Sequence, residues 1–378
     1  MNTDEFFENL KPWSKRKHRL FGKYLKPFIA KVAMATQNRE IFCVDGFAGA
    51  ARYKDGSDGS PLLIAKFSDE CANWSKPVSL KLINVEPDKK GKGVFTILQE
   101  ATKVWQEKGV VININKAFDS ALPEIIATIG NAPALFFIDP FGPTYLHFAH
   151  LIPILTRGQR ITELIVNFDQ DGLRRIVDAA FSEKINPKTA KTNSENITKI
   201  FGSEKWMEKR VNRNVPSEEY EAILLQEYME NIGKYGYDVV AYPIREALDT
   251  KAKYHFVYCT RHSDGIDLMN DFIREEEDLL YGEHVQENLP LFQLSNLADE
   301  EIKLRREKLR SLMRTFVQAR PTVVRKQVVK SLIADNFGHF HSRDYKAIFK
   351  ELIEDGTLTT SDNGTKIDDR MYRSVTVT

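Results

Sequence analysis

The stretch IFCVDGFAGAA, residues 41–51, reads as a short apolar strand that ends on Asp45 and runs straight into a turn of small residues. Ile41, Phe42 and Val44 suit a buried strand. An acidic strand end followed by small residues is how a doubly wound α/β sheet opens its carboxyl edge, where a ligand can approach the backbone. Neither GxGxxG nor GxxxxGK[ST] occurs at this turn, so it is neither a dinucleotide turn nor a phosphate loop.

Outward from this strand, short β-rich runs alternate with amphipathic helical stretches, the pattern of a parallel sheet with crossover helices. The strands read as 41–45, 79–86, 110–115, 134–139, 161–168, 238–244 and 253–260, giving an α/β domain over 41–280 with a doubly wound, Rossmann-like sheet of seven strands. Residues 1–40 read as a basic, helical N-terminal segment. Residues 183–235 are long and polar and read as a helical insertion of the kind that serves as a lid. Residues 281–300 lose the rhythm and read as a linker. Residues 301–378 read as three helices followed by a hairpin at Asn363-Gly364, a C-terminal winged-helix domain. Its last helix, capped by Ser342, would present Arg343, Lys346 and Lys350 to a nucleic-acid groove. Use of the same wing for dimerisation or partner docking stays open.

At 378 residues, the chain is long enough for two or three domains, and 42% hydrophobic with 28% charged residues excludes a disordered or fibrous protein. The N-terminus MNTDEFFENL lacks the basic-then-apolar pattern of a secretory signal, and no apolar run reaches membrane-spanning length. The expectation is a cytoplasmic protein without membrane contact. Cys43, Cys71 and Cys259 are too scattered for a disulfide framework or a zinc knuckle, and no metal is expected. The net charge of +1 is uneven: residues 301–378 hold sixteen Lys or Arg against ten Asp or Glu. Residues 11–28 hold seven basic residues, Lys15 and Lys17 among them, and no acidic one. Both ends suit a polyanion, DNA or RNA, although either run could be a solvated helix face.

The strand ends carry the chemistry. Asp45, Gly46, Phe47 and Gly49 form the first turn, whose DxFAG pattern resembles the first motif of class I S-adenosylmethionine-dependent methyltransferases. Glu86, ending the second strand, can accept both hydroxyls of a ribose. Asp119, after the third strand, stands where such enzymes keep an adenine ligand, or is only the N-cap of a helix beginning at Ser120. Asp139, Pro140 and Phe141 follow the fourth strand and resemble the [DNS]PP[YF] motif of amino-group methyltransferases. There an acidic or amide group and an aromatic ring position an exocyclic base amine. Phe141 stands where the second proline of that motif would be. No cysteine follows the fourth strand, which argues against cytosine-C5 chemistry.

Trp13-Ser14, Lys17-His18, Tyr24-Leu25, VDGFAG (44–49), DGSDGSP (55–61), IDPFG (138–142) and HFVYCTRH (255–262) together resemble the three-Cys-motif partner protein family, TcmP, over nearly the whole chain. That family resembles class I methyltransferases and is named for a neighbouring radical-chemistry protein that bears the cysteines. The resemblance implies S-adenosylmethionine at Asp45, Gly46, Phe47, Gly49 and Glu86, and a reaction edge at Asp139, Pro140 and Phe141. Ala51 departs from the glycine many methyltransferases carry. The expected function is methyl transfer to nucleic acid, at an exocyclic base amine, within a modification or repair system. Three alternatives stand beside it: a non-catalytic cofactor-binding partner of the radical-chemistry protein, a winged-helix DNA-binding regulator, and a small-molecule methyltransferase.

Overall fold

A computed structural model describes residues 11–36, 39–88, 93–158, 161–182, 184–208, 217–288, 294–359 and 371–374. The chain divides into two compact units, Met1–Glu246 with Thr250–Arg261, and Ala247–Asp249 with His262–Thr378.

The first unit opens with helix α1, Pro12–Ala35, and then alternates strand and helix: β1 (Glu40–Asp45), α2 (Ser60–Ala72), β2 (Ser79–Val85), α3 (Val94–Glu107), β3 (Val111–Ile114), α4 (Phe118–Ile129) and β4 (Ala134–Ile138). After β4 come α5 (Phe148–Leu155), β5 (Thr162–Phe168), α6 (Gln170–Ala180), α7 (Pro187–Phe201), the short α8 (Lys205–Glu208), α9 (Ser217–Gly233), β6 (Asp238–Ile244) and β7 (Tyr254–Thr260). The strands form one seven-stranded sheet in the order β3-β2-β1-β4-β5-β7-β6. The expected parallel sheet needs one correction, because β7 runs antiparallel to both β5 and β6. Reversal puts the first residue of β7, Tyr254, at the edge where the parallel strands end.

Alternation of side chains divides the sheet into two faces. Phe136, Ile138, Leu164, Val166 and Val257 point into a core shared with α4, α5 and the helices that follow β5. Helix α1 covers the other face, packing Phe21 on Phe137 with ring centroids 4.6 Å apart. The stretch expected to be a lid, 183–235, is instead largely core. Ile197, Phe201, Trp206, Leu224 and Tyr228 are buried in it, because α7 to α9 form the crossover from β5 to β6 and their apolar stripes have nowhere else to go.

The second unit holds α10 (Ser263–Asn288), α11 (Leu294–Gln318), β8 (Thr322–Val324), α12 (Arg325–Asp335), α13 (Ser342–Glu354), β9 (Leu358–Thr359) and β10 (Met371–Ser374). Strands β8, β10 and β9 make a small antiparallel sheet. The expected linker over 281–300 is corrected here: α10 continues to Asn288 and α11 begins at Leu294. Asn270, on α10, donates to the Phe340 carbonyl at 2.8 Å and accepts from Gly338 N at 2.9 Å, so α10 is built into this unit. The boundary moves from 301 to 262 because an amphipathic helix this acidic reads as solvated until its polar side chains are seen holding a loop. The Asn363-Gly364 turn lies outside the described residues. Among the described residues no helix is long and apolar enough to cross a membrane.

Candidate active site

The ends of β1, β2, β4 and β5 meet the reversed start of β7 under the first turns of α1. Asp45 is fully buried and accepts hydrogen bonds from Ser60 Oγ at 2.5 Å and Phe47 N at 3.2 Å. Burial pushes its pKa up to about 7 against the pull of those two bonds, with Asp139 and Glu86 adding to the rise. Glu86 is 5% exposed, and its Oε2 accepts the Gly49 N–H at 3.0 Å. The Asp45-to-Ala51 turn is thus tied to both neighbouring carboxylates. Gly49 takes φ +60° and so does Ala51, at +62°; the second is a strained choice for a residue with a Cβ.

Asp139 follows β4. Its Oδ1 accepts Lys17 Nζ at 2.9 Å and Asn167 Nδ2 at 2.6 Å, and its Oδ2 accepts Lys17 Nζ at 2.6 Å. Lys17 is 2% exposed and its ammonium lies 4.8 Å from the centre of the Tyr254 ring. Next to it His18 lines the same cavity, 9% exposed, with Nδ1 lacking any hydrogen-bond partner among the described residues. Burial, then the Lys17 charge, drive the His18 pKa down to about 4 in spite of Asp139, so the ring is neutral at pH 7. Burial and Asp139 also raise the hydroxyls of Tyr53 and Tyr254.

Several sequence expectations converge here. The turn residues Phe47 and Gly49 line the cavity together with Asp139, Pro140 and Phe141, the last 37% exposed. Asp45 and Glu86 stand behind it and hold the turn, and Gly46 packs so closely on Phe118 that a Cβ would meet its ring at 3.0 Å. Asp119 does not join: it is exposed within the first turn of α4, whose N-cap is Ala117, so the N-cap reading is corrected as well. Lys17 is corrected more fundamentally. Expected to meet a polyanion with Lys15, it is buried on Asp139, whereas Lys15 is exposed. The free acceptor that an amine would need at Asp139 is therefore already engaged. Sequence reasoning missed His18, Asn167, Tyr53 and Tyr254; the signal available for His18 was its place beside Lys17 in an otherwise apolar helix face.

In the second unit Arg343, Lys346 and Lys350 are exposed at i, i+3 and i+7 on α13, with Glu354 3.5 Å from Lys350. The basic face of α11 is matched within the unit, Arg306 to Glu351 and Arg310 and Arg314 to Asp355. With α10 included, residues 262–378 carry seventeen Lys or Arg against twenty-one Asp or Glu, so the positive balance read over 301–378 does not describe the folded unit. The three cysteines are buried in β1, α2 and β7. Burial raises all three thiols, Cys71 to about 12. Among the described residues no group of three His, Cys, Asp or Glu could hold a metal.

The residues present suit the nucleoside cofactor that the sequence resemblance implies. The turn beyond Phe47 carries only small side chains, and buried carboxylates stand at the ends of the two adjacent strands. Both features match a ligand with hydroxyl and amino donors and no phosphate.

A solved structure, the methyltransferase domain of bacterial CtHen1-CN, is similar to this chain at 12% identity and a TM-score of 0.31, over 64% of this chain and 99% of that one. No family model matches the chain, and no curated protein does.

Proposed function

We propose that this protein is an S-adenosylmethionine-dependent methyltransferase acting on nucleic acid. The observation that carries the reading is the convergence at one sheet edge of Asp45, Glu86 and the small turn with Asp139, Pro140 and Phe141. The cofactor, when bound, supplies an electrophilic methyl group. Glu86 would hold its ribose while keeping the turn in place through Gly49, and the small turn residues let it approach the backbone. Phe141, exposed at the mouth, offers a face on which a base can stack. Kinship with the three-Cys-motif partner proteins, and with it a radical-chemistry partner, belongs to the same proposal.

The second unit is proposed to be a winged helix that engages the polynucleotide through Arg343, Lys346 and Lys350. Its acidic excess favours a second reading, docking on a protein, and salt dependence separates the two. Phosphate contacts give a slope of about −0.9 in log affinity against log salt for each neutralised phosphate on duplex DNA. Calorimetry with S-adenosylmethionine tests the core of the proposal. The wild type is expected to bind, and Glu86→Ala to bind about 10- to 100-fold more weakly, as for a lost charge-assisted hydrogen bond. Absence of binding by the wild type overturns the reading.

A further inference from the structure

A methyl acceptor can be nitrogen or oxygen, and the two place opposite electrostatic demands on the groups around them. Amine methylation builds positive charge on nitrogen. Hydroxyl methylation requires the oxygen to shed a proton. Three observations bear on which demand this cavity meets. The group beside Asp139 is a buried ammonium, Lys17, so a nitrogen turning cationic there would face a like charge in a poorly solvated site. Asp139 already accepts three hydrogen bonds, from Lys17 twice and Asn167 once, out of roughly four that a carboxylate can take. The cavity itself is about 50 Å³, room for a small functional group and not for the flat ring that carries an exocyclic amine.

We propose that the acceptor is a hydroxyl, that Lys17 faces its oxygen, and that His18 Nδ1 takes its proton. The proposal rests on the methyltransferase reading above and refines it. The acceptor oxygen bonds to the methyl carbon as the carbon–sulfur bond breaks, the electron pair of that bond staying on sulfur. The hydroxyl proton passes to the unpartnered Nδ1 of neutral His18 and from there to solvent. A weakly basic imidazole suffices, since the oxygen becomes strongly acidic once its bond to carbon forms. Asp139 and Asn167 are positioning residues that hold the ammonium in place. In a polynucleotide, internal hydroxyls occur on ribose and not on deoxyribose, so the substrate class is RNA.

The experiment incubates the full-length protein and labelled S-adenosylmethionine with bulk RNA in one arm and bulk DNA in the other, followed by mass spectrometry of the nucleosides. Methyl groups on the ribose fragment of RNA, and none in DNA, are expected. Methyl on a base fragment in either arm overturns the proposal while leaving the methyltransferase reading standing. A wild type that binds no S-adenosylhomocysteine in calorimetry overturns that reading itself, and a wild type that binds it yet methylates neither polymer overturns the RNA hydroxyl assignment. Lys17→Met is expected to lower ribose methylation at least 100-fold, with S-adenosylhomocysteine affinity within twofold of wild type and part of the rate restored in Lys17→Arg. Full turnover in Lys17→Met would overturn the role of Lys17. NMR titration of the His18 imidazole gives a readout independent of turnover: its pKa should rise in Lys17→Met as the neighbouring cation is lost, and an unchanged titration removes Lys17 from its surroundings. The double variant Lys17→Met with Asp139→Asn, free of an unpaired carboxylate, serves as the folded control and should bind S-adenosylhomocysteine but not methylate.

Discussion

Two carboxylates on the same face of the sheet receive side chains from the same helix, and they have been put to different use. Glu163, inside β5, accepts Tyr24 at 2.5 Å, Tyr258 at 3.0 Å and Thr260 at 2.7 Å. All four residues are buried. Asp139, at the end of β4, accepts Lys17 and Asn167 beside a cavity and an unpartnered imidazole. Lys17 and Tyr24 lie two turns apart on one stripe of α1, with Phe21 between them on Phe137. Hydroxyls close the Glu163 cluster and leave nothing facing a ligand. A cation and a half-open edge make the Asp139 cluster suited to chemistry. The difference shows that α1 is both clamp and wall: its middle anchors the helix, and its first turns complete the site.

The largest effect should come from breaking the clamp. Glu163→Ala strands three buried hydroxyls without their acceptor, at about 1–3 kcal/mol for each group left unsatisfied, so a loss of several kcal/mol is expected in denaturant unfolding. Glu163→Gln should recover much of it. Equal stability of Glu163→Ala and wild type would show that the cluster is not what holds α1.

Breaking the Asp139 pair should cost less. Removing one partner of a fully buried pair costs about 3–5 kcal/mol, and the Asp139 side chain is 21% exposed, which lowers the expectation to about 1–3 kcal/mol for Lys17→Met. The double variant with Asp139→Asn should regain part of that loss. A double variant no more stable than the single would mean that the pair contributes through packing alone.

The smallest effect sharpens the contrast through pH. Asp45, with its pKa raised to about 7 by burial, holds its proton more tightly folded than unfolded. Its contribution is therefore fully present below about pH 4, where the unfolded carboxyl is protonated too, and is lost as pH rises through about 7. Asp45→Asn, which keeps an acceptor for Ser60, should flatten the stability profile between pH 4 and 7. An unaltered profile would place Asp45 in a more polar setting than its burial indicates.

All seven strands were legible, because β-branched and aromatic runs bounded by turn residues carry their own signal at short range. The reversal of β7 was not, since strand direction depends on which neighbour it pairs with. The site residues of the first turn and of β4 were equally readable from position, each lying at the end of a strand. Lys17 was misread for a clear reason. In sequence it belongs to a run of seven basic residues without an acid, and the carboxylate that buries it is Asp139, far along the chain. The C-terminal charge was misread in the same way, because its balancing acids lie on α10, beyond the apparent boundary.

Sequence alone determined the alternation of strands and helices, the small-residue turn after Asp45 and the strand-end positions of Glu86 and Asp139, since all of these follow from local periodicity and turn chemistry. Tertiary structure alone decided which charges stay in water. Lys15 and Lys17 have the same side chain in the same helix. Two residues turn the second through about 200° around the helix axis, away from solvent and onto a buried carboxylate, where desolvation can be repaid only by pairing.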